Sequence, residues 1–115
     1  MSEKRLQRLN SLIKREISQI ILREFDFPQD VLTTVTRAES SANLQDCSIF
    51  ISVLPESKKE SAVDFLNRKI FFLQQKLNQR LRMRPIPKIK FLAEKMTVEA
   101  GQVEEVLERL KNTAG

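Results

Sequence analysis

The sequence predicts an α+β fold, a three-stranded sheet covered on one face by helices. Three observations carry this. Apolar residues recur at helical spacing over about residues 3–25 and again from Ser57 to Leu81. Two stretches between them and one after them are β-branched or alternate with period two. Pro28, Pro55, Pro85 and Pro87 stand at the borders, where they end one element and stiffen the approach to the next. A chain of 115 residues buries roughly two-thirds of its unfolded surface, enough to fold without metal or disulfide staples. Residues 1–115 are therefore expected to form a single domain, with 111–115 as a flexible tail.

The elements follow in order. Leu6, Leu9, Ile13, Ile17, Ile20 and Ile21 draw one stripe of an amphipathic helix, which Pro28 stops. Lys4, Arg8 and Arg15 fall on the side opposite that stripe, so one edge of the helix is basic. Residues 31–39, VLTTVTRAE, are rich in β-branched types, and residues 47–54, CSIFISVL, set Cys47, Ile49, Ile51 and Val53 against Ser48, Phe50, Ser52 and Leu54. The polar SSANLQD between them predicts an antiparallel hairpin with a long loop. Cys47 lies on the aliphatic side and reads as a small core residue.

Beyond Pro55, Ser57 and Glu60 match a capping box at a helix start. Val63, Leu66, Ile70, Leu73, Leu77 and Leu81 then carry a helical stripe to the basic run before Pro85. Phe65, Phe71 and Phe72 widen its apolar side, which predicts either a kink near residues 68–71 or a helix crossing a sheet. Phe71 and Phe72 read as core residues, not as base-stacking platforms. Ile89, Phe91 and Ala93 alternate with Lys88, Lys90 and Leu92 as a third strand with a basic outer side. Val103, Val106, Leu107 and Leu110 mark a short last helix.

Composition narrows the chemistry. Lys plus Arg number 20 against 15 Asp plus Glu, a net charge of +5, and this balance favours polyanions as partners. Histidine, the commonest general base and zinc ligand, is absent. Gly101 and Gly115 are the two glycines, too few and too far apart for a phosphate-binding glycine loop. Cys47 is the single cysteine, which excludes an internal disulfide or a thiolate metal cluster and fits a reducing cytoplasm. No apolar run reaches the length of about 18 residues that spans a bilayer. The expectation is a non-enzymatic, cofactor-free protein.

The stretch RLRMRPIPKIKF, from Arg80 to Phe91, holds Arg80, Arg82, Arg84, Lys88 and Lys90 and no acid. A helix C-terminus welcomes cations and accounts for one or two of these arginines. It does not account for Lys88 and Lys90 on the next strand. Like charges this dense repel one another, and a polyanion relieves that repulsion. Lys4, Arg5, Arg8, Arg15, Arg68, Lys69 and Lys76, on the two helices, complete the candidate phosphate-contacting set.

The order of elements resembles the type-II KH-like fold, and the segments that build it resemble ribosome-binding factor A. RLQRLNSLIKREISQII is similar to that family's opening helix, and TVTRAESSANLQDCSIFISVL to its hairpin. LNRKIFFLQQKLNQRLRMRPIPKIKF resembles its long helix, basic exit and last strand, with RLxxRxxPxxxF from Arg80 to Phe91 the most specific piece; TVEAGQVEEVLERL fits the ending. The chain departs where the family has Asp and this sequence Asn43, where the family has Ala and this sequence Cys47, and at the helix break. There the family's Ala-x-Gly is replaced by Lys69-Ile70-Phe71, without the glycine that allows a left-handed turn.

The resemblance implies a cytoplasmic factor that binds the small ribosomal subunit and its precursor ribosomal RNA late in maturation, near the RNA end, and supports growth in the cold. Other assembly factors, such as a GTPase, are implied partners. A monomer without membrane attachment is expected. The basic set would then be RNA-binding, through phosphates and RNA shape and without a Gly-x-x-Gly clamp. From the residues alone, a general structured-RNA or DNA module and a protein-interaction module remain alternatives.

Overall fold

The computed structural model describes residues 2–94; the predicted last helix and tail lie outside them. The order is α1 (Glu3–Glu24), β1 (Leu32–Ser40), β2 (Asp46–Leu54), α2 (Lys59–Arg68), α3 (Ile70–Arg80) and β3 (Lys88–Ala93), with a 3-10 turn at Glu56–Lys58. The sheet runs β1-β2-β3, with β1 antiparallel and β3 parallel to β2. A parallel return needs a long crossover, and α2 with α3 provides it. Among the described residues no helix is long and apolar enough to cross a membrane, and no group of His, Cys, Asp or Glu could hold a metal ion.

Helix α1 begins where Ser2 Oγ accepts the Arg5 amide at 3.3 Å, which satisfies one of the exposed first-turn N–H groups. Its predicted stripe is the buried face, from Leu9 through Ile13, Ile17 and Ile20 to Ile21, with Leu6 only partly covered. That face packs with Cys47, Ile49, Ile51 and Val53, every one of them buried, and with Leu66, Leu73, Leu77, Ile89 and Phe91 from the crossover and last strand. Each large aliphatic so buried contributes about 1.5–3 kcal/mol.

A β-bulge shapes β1. Val35 pairs with Ile51 and Arg37 with Phe50, so Thr36 is the extra residue. Without it, strict alternation would turn Arg37 into the core; with it, Val35 and Ala38 are buried and Arg37 stands on the open face. There its guanidinium lies 3.8 Å above the Phe50 ring and its Nε donates to Glu94 at 3.0 Å, while Nη1 bonds Glu39. Thr36 donates its hydroxyl to Glu94 at 2.5 Å.

These donors hold the Glu94 carboxyl below the ordinary carboxylate range, chiefly through the Arg37 hydrogen bond. A depressed folded pKa means stability that is present above the ordinary value, near pH 4.3, and is lost as pH falls through the folded one. Glu94→Gln is therefore expected to flatten the acid limb of a melting-temperature profile below about pH 5 and leave its slope unchanged near neutrality. Parallel acid limbs in the two proteins would show that this brace does not couple protonation to folding.

The predicted long loop of the hairpin is short, because both strands extend inward and leave Ser41–Gln45 to turn the chain. Leu44 takes the left-handed conformation at φ 59°. Asn43 Oδ1 accepts from the Ser41 hydroxyl at 2.7 Å and the Gln45 amide at 3.2 Å. An aspartate would accept the same bonds, so the departure at Asn43 keeps the turn chemistry. Cys47 is fully buried, and that burial raises its thiol pKa.

The capping box is not formed. The Lys58 amide bonds the Pro55 carbonyl at 3.0 Å, closing a tight turn that carries Ser57 away from the cap position. Lys58 becomes the cap of α2, with no side-chain hydrogen bond.

The crossover does break, at Lys69, and without glycine. Lys69 has φ −96° and ψ 13°, in the sparsely populated bridge region that any residue can enter. Its amide is shared between the Phe65 and Leu66 carbonyls at 3.2 and 3.1 Å, and its carbonyl accepts from Leu73 at 3.0 Å. The backbone hydrogen bonds are thus continued through the kink, and no left-handed residue is needed.

Candidate nucleic-acid interface

Hydrogen bonds define which ends of the elements meet. Asn10 on α1 accepts the Ser40 amide at the end of β1, at 2.9 Å, and the Lys88 amide at the start of β3 bonds the Gln45 carbonyl at 3.0 Å. Arg80, the last residue of α3, reaches Glu16 at 3.0 Å, and Lys76 one turn earlier lies 3.9 Å from Glu24. Helices α1 and α3 are therefore antiparallel. The first half of α1, the hairpin tip, the exit from α3 and the start of β3 share one end of the molecule.

That end is basic. Lys4, Arg8 and Arg15 line a shallow depression of about 550 Å³ along α1 with Gln7, Ser11 and Leu12. Arg5, Arg82 and Lys88 are exposed nearby, and Lys90 follows Lys88 on the open face of the sheet. The opposite end carries Glu24, Asp26, Asp30, Glu56 and Glu60 around Lys58 and Lys59, with Lys59 paired to Glu56 at 3.3 Å. An aromatic cluster closes the core there: Phe25 meets Phe65 edge-on at 5.3 Å, and Phe27 meets Phe65 at 5.9 Å. The charge is polarised along the molecule, which orients it in the field of a polyanion.

The twelve candidate residues do not form one uniform patch. Arg80 is answered after all, by an acid far away in the chain: Nη1 bonds Glu16 at 3.0 Å and Gln19 at 3.1 Å, and only 24% of its side chain is exposed. It ties α3 to α1. Arg84 folds back to the Leu81 and Met83 carbonyls at 3.2 and 2.8 Å, just past the end of α3. Lys76 lies 5.5 Å from the Phe72 ring as well as near Glu24. Arg15 makes a loose 3.6 Å contact with Glu16. Among the described residues, Lys4, Arg5, Arg8, Arg68, Lys69, Arg82, Lys88 and Lys90 make no ion pair. Arg68 and Lys69 stand apart at the kink.

Two side chains of the crossover have a role that the sequence reading missed. Asn67 accepts the Phe91 amide and donates to the Phe91 carbonyl, both at 2.9 Å. Gln74 accepts the Ile89 amide at 2.8 Å and donates to the Pro87 carbonyl at 3.1 Å. The free edge of β3 is thus closed by side-chain amides that act as a neighbouring strand would. The signal was present, as two amides about two helical turns apart beside an apolar stripe. It had no meaning without knowing which strand edge lay opposite. The closed edge leaves these β3 backbone groups unavailable to a second chain or an extended single strand.

Phe71 also differs from its expected place. It is 74% exposed, and Phe72 is 37% exposed, because both fall on the side of α3 turned away from buried Leu73 and Leu77. Val63 and Ile70 pack at the margin of the core, while Leu66, Leu73 and Leu77 fill it.

A family model described as ribosome-binding factor A matches residues 5–107. The chain belongs to that family. The ribosome-binding factor A of Synechocystis is 36% identical over 115 residues, covering 96% of this chain and 84% of the relative. The crystal structure of ribosome-binding factor A from Thermus thermophilus superposes with a TM-score of 0.67 at 28% identity, covering 76% of this chain and 94% of that one. Coordinates of the Thermus thermophilus factor fitted into a cryo-EM map of a 30S complex match with a TM-score of 0.65 at 26% identity, covering 77% and 94%. The architecture described here is accordingly the KH-like fold of ribosome-binding factor A.

Proposed function

We propose that this protein is a non-enzymatic, cytoplasmic assembly factor that binds the small ribosomal subunit and its precursor ribosomal RNA during late maturation and RNA end processing, including at low temperature. The observation that carries this reading is the likeness to a family member fitted into a map of its 30S complex. The polarised charge supports it: Lys4, Arg5, Arg8, Arg15, Arg82, Lys88 and Lys90 place cations at one end, suited to phosphates on folded RNA. The closed β3 edge favours recognition of RNA shape over threading of a single strand.

The test is sedimentation of tagged protein from cell extract at low and moderate salt, with identification of the RNA that travels with it. Migration with free small subunits carrying unprocessed RNA, lost as salt rises, is the expected result. Protein left at the top of the gradient under both conditions would remove the ribosomal role.

One observation favours a protein-docking role as the second reading. An apolar groove of about 280 Å³ lies between the end of α1 and the free edge of β1, rimmed by Leu22 and Leu32, which are 80% and 61% exposed. Recovery of a protein partner without ribosomal RNA would favour it.

A further inference from the structure

We infer that Phe71 stacks on an unpaired base of the bound RNA, with Arg68 and Lys69 holding the phosphates beside it; the inference rests on the RNA-binding role proposed above. A single exposed phenylalanine is ordinary by itself. What distinguishes Phe71 is its surroundings. At 74% exposure its ring stands in the first turn of α3, a turn that contains no acid. Arg68 and Lys69, immediately before it, are exposed and make no ion pair among the described residues.

Gln75, four residues after Phe71, shares its side of α3, and Arg68 is the last residue of α2, just across the break. A flat apolar ring, a guanidinium and an amide supply the three contacts a nucleotide needs: a stacking surface, a phosphate donor and a group that bonds base edges. An anchor for a protein partner would sit in a continuous apolar patch. Here the neighbouring Phe72 ring, 37% exposed, is engaged with Phe25 at 6.1 Å between ring centres and has the Lys76 ammonium 5.5 Å away. The cationic setting therefore favours a nucleic-acid base over a protein side chain. Phe71 stands on the side of α3 turned away from buried Leu73 and Leu77.

The experiment measures binding of the full chain and of Phe71→Ala, Phe71→Leu and Phe71→Trp to salt-washed small subunits and to protein-free precursor small-subunit RNA, over a range of salt. Ala and Leu are expected to weaken both complexes roughly tenfold, and Trp to retain them, with the salt slope unchanged because no charge is lost. An unaltered melting temperature will confirm that the exposed ring does not support the fold. Base-specific chemical probing should then show one unpaired base protected by the parent and by Trp but open with Ala. The inference is overturned if Ala binds like the parent, if Leu fully substitutes for Phe, or if the loss occurs on subunits and not on protein-free RNA, the mark of a ribosomal-protein contact. If the parent chain binds neither target, the assembly-factor reading falls together with this one; a normal parent with a silent Phe71→Ala removes the stacking alone.

Discussion

Exchanging Arg82, Lys88 and Lys90 together for glutamine is expected to weaken binding to the small subunit by roughly 10- to 100-fold at low salt. The slope of log affinity against log salt should flatten by roughly 2 to 3, the loss due to three phosphate contacts. All three side chains are exposed and make no ion pair among the described residues, so the fold should melt as before. Arg80 is deliberately left in place. Its bond to Glu16 joins α3 to α1, and Glu16 is only 16% exposed, so removing the arginine would confuse a loss of stability with a loss of contact. Equal affinity and equal salt slope in the triple variant would move the RNA contact away from the exit of α3 and the open side of β3.

Asn67→Ala combined with Gln74→Ala is expected to have the largest effect on stability. Each amide satisfies one N–H and one C=O at or beside β3, and leaving such part-buried groups unpaired costs about 1–3 kcal/mol per side chain. Together they represent a large part of the roughly 5–15 kcal/mol that holds a small domain folded. A fall in melting temperature of roughly 10 °C or more is anticipated. The uncovered edge should also make the variant prone to self-association through strand pairing, which light scattering would detect. A double variant that melts within about 3 °C of the parent would mean that water replaces both amides at little cost.

Much of this architecture was legible because it is local. The spacing of Leu9, Ile13, Ile17 and Ile20 shows a buried helical face, and the alternation from Cys47 to Val53 shows a buried strand face. The capping box failed for a reason just as local. Ser57 and Glu60 have the right spacing, but the turn after Pro55 shifts the helix start to Lys58. The crossover break was expected, as one of two outcomes, from its broad apolar surface; how a chain without glycine makes it was not. Lys69 answers that with a bridge-region backbone, a conformation no residue type announces.

The candidate interface was legible as charge and not as arrangement. Counting cations between Arg80 and Lys90 treats every one as equally free. In the folded chain Arg80 is bound to Glu16, 64 residues away, and Arg84 is turned onto backbone carbonyls. Residue order alone was enough for the described helices and strands, the buried sides of α1 and β2, the net charge of +5 and the family, because periodicity and composition are properties of neighbouring residues. Folding in three dimensions was needed to select which cations stay unpaired, to bring Asn67 and Gln74 against an open edge and to turn Arg37 outward through the bulge at Thr36. Those outcomes depend on which surfaces meet, and the surfaces that meet come from segments far apart in the chain.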